Sequence, residues 1–146
     1  MAVPGASPDT SPLHATTVAH AGRAALIQGP AGSGKSGLAL QMIAMGARLV
    51  ADDRTVIRRR GDQVIAEAPD SLRGQIEARG VGILAAPPAG PTPVALIIDM
   101  TVEETERLPP LRETELLGVI LPLQRKVNMP HFPVAILAYL KHGRIA

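Results

Sequence analysis

Three features of this 146-residue chain predict an α/β fold built on a mixed β-sheet. The apolar run "RAALIQ" (23–28) leads straight into "GPAGSGKS" (29–36), and apolar residues at helical spacing follow, which is a strand–loop–helix unit. Further short apolar runs, "RLVADD" (48–53), "VALIIDM" (94–100) and "LLGVILPL" (116–123), recur between breakers. "TVIRRRGDQVIAEA" (55–68) holds two β-rich runs around Gly61-Asp62, the pattern of a β-hairpin. Strand–loop–helix units joined to a hairpin make a mixed sheet with helices on it.

Taken in order, residues 1–12 are rich in Pro, Ser, Gly and Ala and are expected to be loose. A single domain is expected over 13–146. "LHATTVAHAG" (13–22) alternates weakly, as a strand does. Leu38, Ala39, Met42, Ile43 and Met45 place a helix over 36–45, with Gly46 able to cap it. "PDSLRGQIEARG" (69–80) reads as a short helix starting at Asp70 or Ser71, and "AAPPAGPTP" (85–93) as a loop. "FPVAILAYLKHG" (132–143) fits a helix or a strand, with Gly143 past its end.

Composition limits the function. At 46% hydrophobic residues the chain can build a core, and a chain of this size buries roughly 68% of its unfolded surface. With one Phe, one Tyr and no Trp, it has almost nothing on which bases stack. The formal charge is +2, and its only dense cluster, Arg58 to Arg60, lies at a strand end without a basic face around it. No nucleic-acid partner is expected. The absence of cysteine excludes disulfides, thiolate metal sites and cysteine nucleophiles. The apolar runs fall far short of 18 residues, so no membrane span is expected. The first residues lack the pattern of a signal peptide, so a cytoplasmic location is the expectation.

"GPAGSGKS" matches G-x-x-x-x-G-K-[ST], a phosphate-binding loop, in the context that gives it meaning: strand before, helix after. Gly29, Gly32 and Gly34 allow a curled backbone whose amides point at phosphate oxygens, and the helix start adds its positive end. The nucleotide would lie on Gly29, Pro30, Ala31, Gly32, Ser33, Gly34, Lys35 and Ser36. Lys35 is long enough to reach the β/γ-phosphates, and the Ser36 hydroxyl is placed for Mg²⁺. Such a loop needs a carboxylate at a strand end. Asp52 and Asp53 in "VADD" compete with Asp99 in "ALIIDM", and the pattern barely separates them. Two adjacent acids point to two tasks, one on the metal and one accepting a proton. His14 has the ordinary reading of a surface or core histidine; His20, His131 and His142 have no assigned partners. Glu77 and Arg79 read as a surface pair, but Gly80 and Gly82 after them imply a tight backbone path.

"VADD" soon after the loop, followed by "IEARGVGIL" (76–84), resembles HPr kinase/phosphorylase, most closely its short alphaproteobacterial form. His14 lies 21 residues before Lys35 and Asp53 lies 18 after it, as in that family. The resemblance implies a nucleotide-binding architecture like that of PEP carboxykinase. It implies ATP and Mg²⁺ on the loop, with Ser36, Asp52 and Glu77 near the metal. It makes Asp53 the acid that deprotonates a serine of HPr, or protonates it when inorganic phosphate attacks phospho-HPr, and it makes His14 and Lys35 active-site residues. Glu77, Arg79, Gly80 and Gly82 fall in its signature segment. HPr becomes the expected partner, and the family's hexamer makes a homo-oligomer an expectation.

The chain departs from the family at three places. Gly37 stands where relatives have an acid after the loop serine. "LPLQRKVNMPHF" offers Arg125 or Lys126 for the family's late arginine. The chain ends at Ala146, before most of the family's C-terminal helical segment. A small-molecule kinase on the same loop, or a non-catalytic ATP-binding regulator, are the alternative readings.

Overall fold

A computed structural model describes residues 10–146. Of the segment expected to be loose, residues 1–9 lie outside the described residues, and its last residues belong to the first strand. The elements run β1 (Thr10–Leu13), β2 (Ala15–His20), β3 (Arg23–Gln28), α1 (Lys35–Ala44), β4 (Arg48–Ala51), β5 (Thr55–Arg60), β6 (Gln63–Glu67), β7 (Gln75–Ala78), β8 (Gly82–Ala85), β9 (Thr92–Glu103), β10 (Arg112–Leu116), β11 (Val119–Lys126) and α2 (Phe132–His142).

The sheet is mixed and curled. Its path is β1–β5–β6–β9–β3–β2–β4, with β11 also pairing β9 and β10 pairing β11. β9 is the axis: parallel to β3 and β11, antiparallel to β6. β7 and β8 form a separate two-stranded sheet. The predicted α/β class with its loop unit and the 55–68 hairpin is therefore the observed architecture.

Side-chain alternation gives the sheet two apolar faces. On one, α1 and α2 cover Val18, Ile27, Leu49, Leu96 and Ile98 with Leu38, Met42, Phe132, Ile136 and Leu140. On the other, Leu26, Val50, Ile57, Val64, Ile97 and Leu121 meet as the sheet curls over itself. Extra residues at two points let both faces be served. Ala24 pairs Val94 and Ala25 pairs Leu96, so Ala95 is extra, and Val94 and Leu96 face opposite cores. Thr17 pairs Ala51 and Val18 pairs Leu49, so Val50 is extra in β4, just ahead of the two acids.

Three expectations are corrected. The helix over 69–80 is a single 3-10 turn, Asp70–Leu72, followed by β7. Gly74, at φ 73, breaks the chain there, and Ile76 and Ala78 are buried while Gln75 and Glu77 are exposed, a period of two. The strand over 116–123 turns at Leu117 (φ 51) and Gly118 (φ 81), a left-handed pair that closes a tight hairpin between β10 and β11. The β9 strand begins inside the 85–93 loop and runs on to Glu103. The open choice at 132–143 resolves as a helix: Phe132, Ile136, Leu137 and Leu140 form its buried stripe, and Gly143 ends it at φ 80.

Candidate active site

The loop after β3 turns on glycines because nothing else fits. Gly29 has φ 153, and a Cβ there would meet Ser33 Oγ at 2.5 Å. Gly34, at φ 96, precedes α1, whose first turn has no side-chain cap, so its free amides face out of the helix start. Lys35 is 6% exposed and its Nζ donates to the carbonyls of Gly29 (2.7 Å) and Pro30 (3.2 Å). The ammonium is thereby held against the loop rather than trailing in solvent. Ser33 Oγ is buried without a hydrogen-bond partner.

The two acids that follow β4 take different positions. Asp52 turns toward the loop. Its Oδ1 accepts from Ser36 Oγ at 2.7 Å and from Thr16 Oγ1 at 3.1 Å, and its Oδ2 accepts from the Glu77 amide at 2.8 Å. Asp53 turns the other way. It sits at φ 64, its amide donates to Thr16 Oγ1 at 3.2 Å, and the Arg54 amide donates to the Asp52 carbonyl at 2.7 Å, closing a tight turn. Its carboxylate lies in the open, 68% exposed, with His14 Nε2 2.5 Å from Oδ1.

The structure therefore brings together Lys35, Ser36, Asp52, Asp53, His14 and the main chain of Glu77. Asp99 is the sheet partner of Gln28, next to the loop, but its carboxylate is not bonded to the loop serine: Asp99 Oδ1 accepts from the Thr101 amide at 2.9 Å, a local contact within β9. The side chain of Glu77 is on the exposed face of β7, and Arg79, Gly80 (φ 83) and Gly82 (φ 141) form and leave the tight turn into β8. Among the described residues no three His, Asp or Glu side chains gather into a metal cage. The donors present, a serine hydroxyl and one carboxylate at 2.7 Å, are hard oxygens of the kind that hold a nucleotide-borne Mg²⁺, which keeps water and phosphate as its other ligands.

A cavity of about 510 Å³ opens on the other flank of the loop. Ser33, Gly34, Gly37 and Gln41 line one wall, and Lys126 and Asn128 belong to the facing wall. Of the two candidates for a late cation, Lys126 lies at this cavity. Arg125 is a Cα partner of Asp99 in the sheet. His20, at the end of β2, and His131, at the start of α2, are remote from the acids in the sequence pattern and line other hollows. His142 lies in the last turn of α2.

Sequence reasoning passed over Thr16. It is fully buried and touches both acids, and its only signal was a pair of threonines in an otherwise apolar strand. It also passed over Glu104 and Arg112, which lock β10 to the end of β9. Arg112 Nε and Nη2 donate to both Glu104 oxygens at 3.1 Å. These bonds hold the Glu104 carboxyl below its ordinary range. Desolvation opposes the shift, and the amides of Glu106 and Thr105 and the charge of Arg112 reinforce it.

Comparison with known proteins places these residues in context. The sequence model of the HPr serine kinase C-terminal domain matches residues 7–88. HPr kinase/phosphorylase of Peptoclostridium acidaminophilum is 47% identical over 73 residues, 49% of this chain and 24% of the relative. That of Exiguobacterium sp. is 44% identical over the same length and shares, and that of Pediococcus pentosaceus 45% over 73 residues. The matched part thus spans about a quarter of these relatives' length. The structure of the HPr(Ser) kinase/phosphatase from Coxiella burnetii superposes with a TM-score of 0.74 at 25% identity, covering 90% of this chain and 94% of that one.

Proposed function

The chain belongs to the HPr serine kinase C-terminal domain family, and from that premise we propose that it is an ATP- and Mg²⁺-dependent kinase that phosphorylates a serine of the phosphocarrier protein HPr. The observation that carries this reading is the division of labour between adjacent acids. Asp52 is bonded to the loop serine, whereas Asp53 faces His14 in the open.

The chemistry follows from that division. The loop amides and the start of α1 receive the phosphates, and Lys35 neutralises charge on the transferring group. Ser36 and Asp52 would hold Mg²⁺, with Glu77 at the same corner through its main chain. Bound there, the ion would supply positive charge to offset the charge that develops during transfer. Asp53, exposed enough to meet a protein substrate, accepts the proton of the incoming serine hydroxyl. The His14 ring, its Nε2 2.5 Å from the Asp53 carboxylate, keeps it aimed. Positioning and charge neutralisation supply most of the rate, because the phosphoryl group passes through a loose transition state that needs little covalent help. In the reverse direction Asp53 returns the proton to serine as inorganic phosphate attacks, and Lys126 lines the cavity on the loop's far flank.

The nucleoside end occupies the cavity beside Gly37. An added Cβ at Gly37 meets no atom within 4 Å, so the wall is open there. No helix among the described residues is long and apolar enough to cross a membrane, and the reading carries a cytoplasmic location with it.

The test is phosphoryl transfer in both directions: labelled Mg-ATP with HPr, and phosphate with phospho-Ser-HPr. Label on an HPr serine supports the reading. Transfer to a metabolite but not to HPr would replace it with a small-molecule kinase. Nucleotide binding without transfer would make the chain a regulator.

A further inference from the structure

We propose that Thr16 is a positioning residue that holds Asp52 and Asp53 in their separate places; the proposal rests on the reading that Asp53 takes the serine proton. Thr16 is fully buried. A hydroxyl has one proton and two lone pairs, and here both capacities go to the acids. The proton is given to Asp52 Oδ1 at 3.1 Å, and a lone pair receives the Asp53 amide at 3.2 Å. One side chain thus fixes the carboxylate that faces the loop serine and the backbone of the acid that faces away from it.

The second task has its own requirement. Asp53 adopts φ 64, a left-handed conformation that few residues other than glycine adopt, although Asp is among those that tolerate it. Its amide bond to Thr16, together with the bond from the Arg54 amide to the Asp52 carbonyl, holds that turn. The turn is what carries the Asp53 carboxylate to His14. His14 sits at the bend that leads into β2, and Thr16 is the second residue of that strand, two positions further on. The residue that fixes the Asp53 backbone and the residue that meets its carboxylate therefore come from one strand end.

Thr17 provides the internal control. It is equally buried, but its hydroxyl lies 3.0 Å from Thr55 Oγ1. Thr55 gives its own proton to the Ala15 carbonyl, so Thr17 is the donor of that pair. Its hydroxyl bonds to Thr55 and to neither acid.

The experiment compares Thr16→Val, Thr16→Ser and Thr17→Val in the full chain. Valine keeps the shape of threonine and removes the hydroxyl; serine restores the hydroxyl. Steady-state transfer from Mg-ATP to HPr is measured with hydrogen–deuterium exchange at the Asp53 amide. Thr16→Val is expected to lower kcat by about 10- to 100-fold, the scale of misplaced catalytic groups, with the KM for ATP little changed and the Asp53 amide exchanging faster. Thr16→Ser recovers most of both, and Thr17→Val leaves both at the parent level. A Thr16→Val enzyme with parental kcat and parental exchange overturns the proposal, as does Thr16→Ser failing to rescue. If the parent protein transfers nothing to HPr, the kinase reading falls. The exchange arm then decides on Thr16: unchanged Asp53 protection in Thr16→Val overturns it, and lost protection restored by serine supports it.

Discussion

Replacing Asp52 by asparagine keeps the shape of the side chain and removes one acceptor. Asp52 now serves three donors: Ser36 Oγ and Thr16 Oγ1 on one oxygen, the Glu77 amide on the other. Asparagine has one oxygen and an NH₂. If its oxygen takes the first seat, the NH₂ confronts the Glu77 amide, donor against donor. If it takes the second, both hydroxyl protons lose their acceptor. At least one hydrogen bond to a charged group is lost either way, about 1.5–3 kcal/mol. Because Asp52 is half-buried, the lower part of that range applies, about 2 kcal/mol. For a chain of this size that is roughly 4–8 °C in Tm. Urea unfolding, with the m-value checked for constancy, measures it directly. Asp53→Asn serves as the comparison: its carboxylate is 68% exposed and pairs with His14, so its effect on stability stays below about 1 kcal/mol. An Asp52→Asn protein as stable as its parent, or one no less stable than Asp53→Asn, refutes the reasoning that Asp52 is the tie between loop and sheet.

Two further outcomes are expected. Gly37→Phe places a ring at the open wall of the 510 Å³ cavity and should weaken ATP binding at least tenfold while leaving tripolyphosphate binding unchanged; calorimetric titration with both ligands checks this, and equal losses would place the nucleoside elsewhere. Arg112→Gln should destabilise the protein at pH 7. A carboxyl held below its ordinary value gives stability that is full above that value, 4.5 for glutamate, and is lost as pH falls through the lowered one. The difference between parent and variant urea midpoints should therefore shrink on acidification; a widening gap contradicts the pairing.

The features readable in the sequence are those fixed by local chemistry. The loop is spelled out by glycines at positions that require positive φ and by a lysine and serine at set spacing. The 55–68 hairpin declares itself through Gly61 and alternating β-formers, and the first apolar strands through their runs. Where long-range pairing decides, local reading failed. Residues 75–78 alternate like a strand, but the preceding Asp-Ser-Leu looks like a helix start, and only pairing with β8 settles the outcome. Leu117 sits at positive φ, a conformation leucine does not announce, so the turn that divides 116–123 stayed hidden. The choice between Asp52 and Asp99 was also non-local. Both end apolar stretches, and what separates them is that Asp52 reaches Ser36 in the first turn of α1 while Asp99 bonds to its own strand. Thr16 was invisible for the same reason: its partners lie 36 and 37 residues away.

The central claim is that adjacent acids perform different tasks, with Asp53 moving the proton. It is tested most directly by measuring phosphoryl transfer to HPr and nucleotide binding in Asp53→Asn. Loss of transfer by at least 100-fold, within the range that general base catalysis contributes, with Mg-ATP affinity near that of the parent, is the predicted result. Transfer at the parental rate, or nucleotide affinity lost together with transfer, would contradict it.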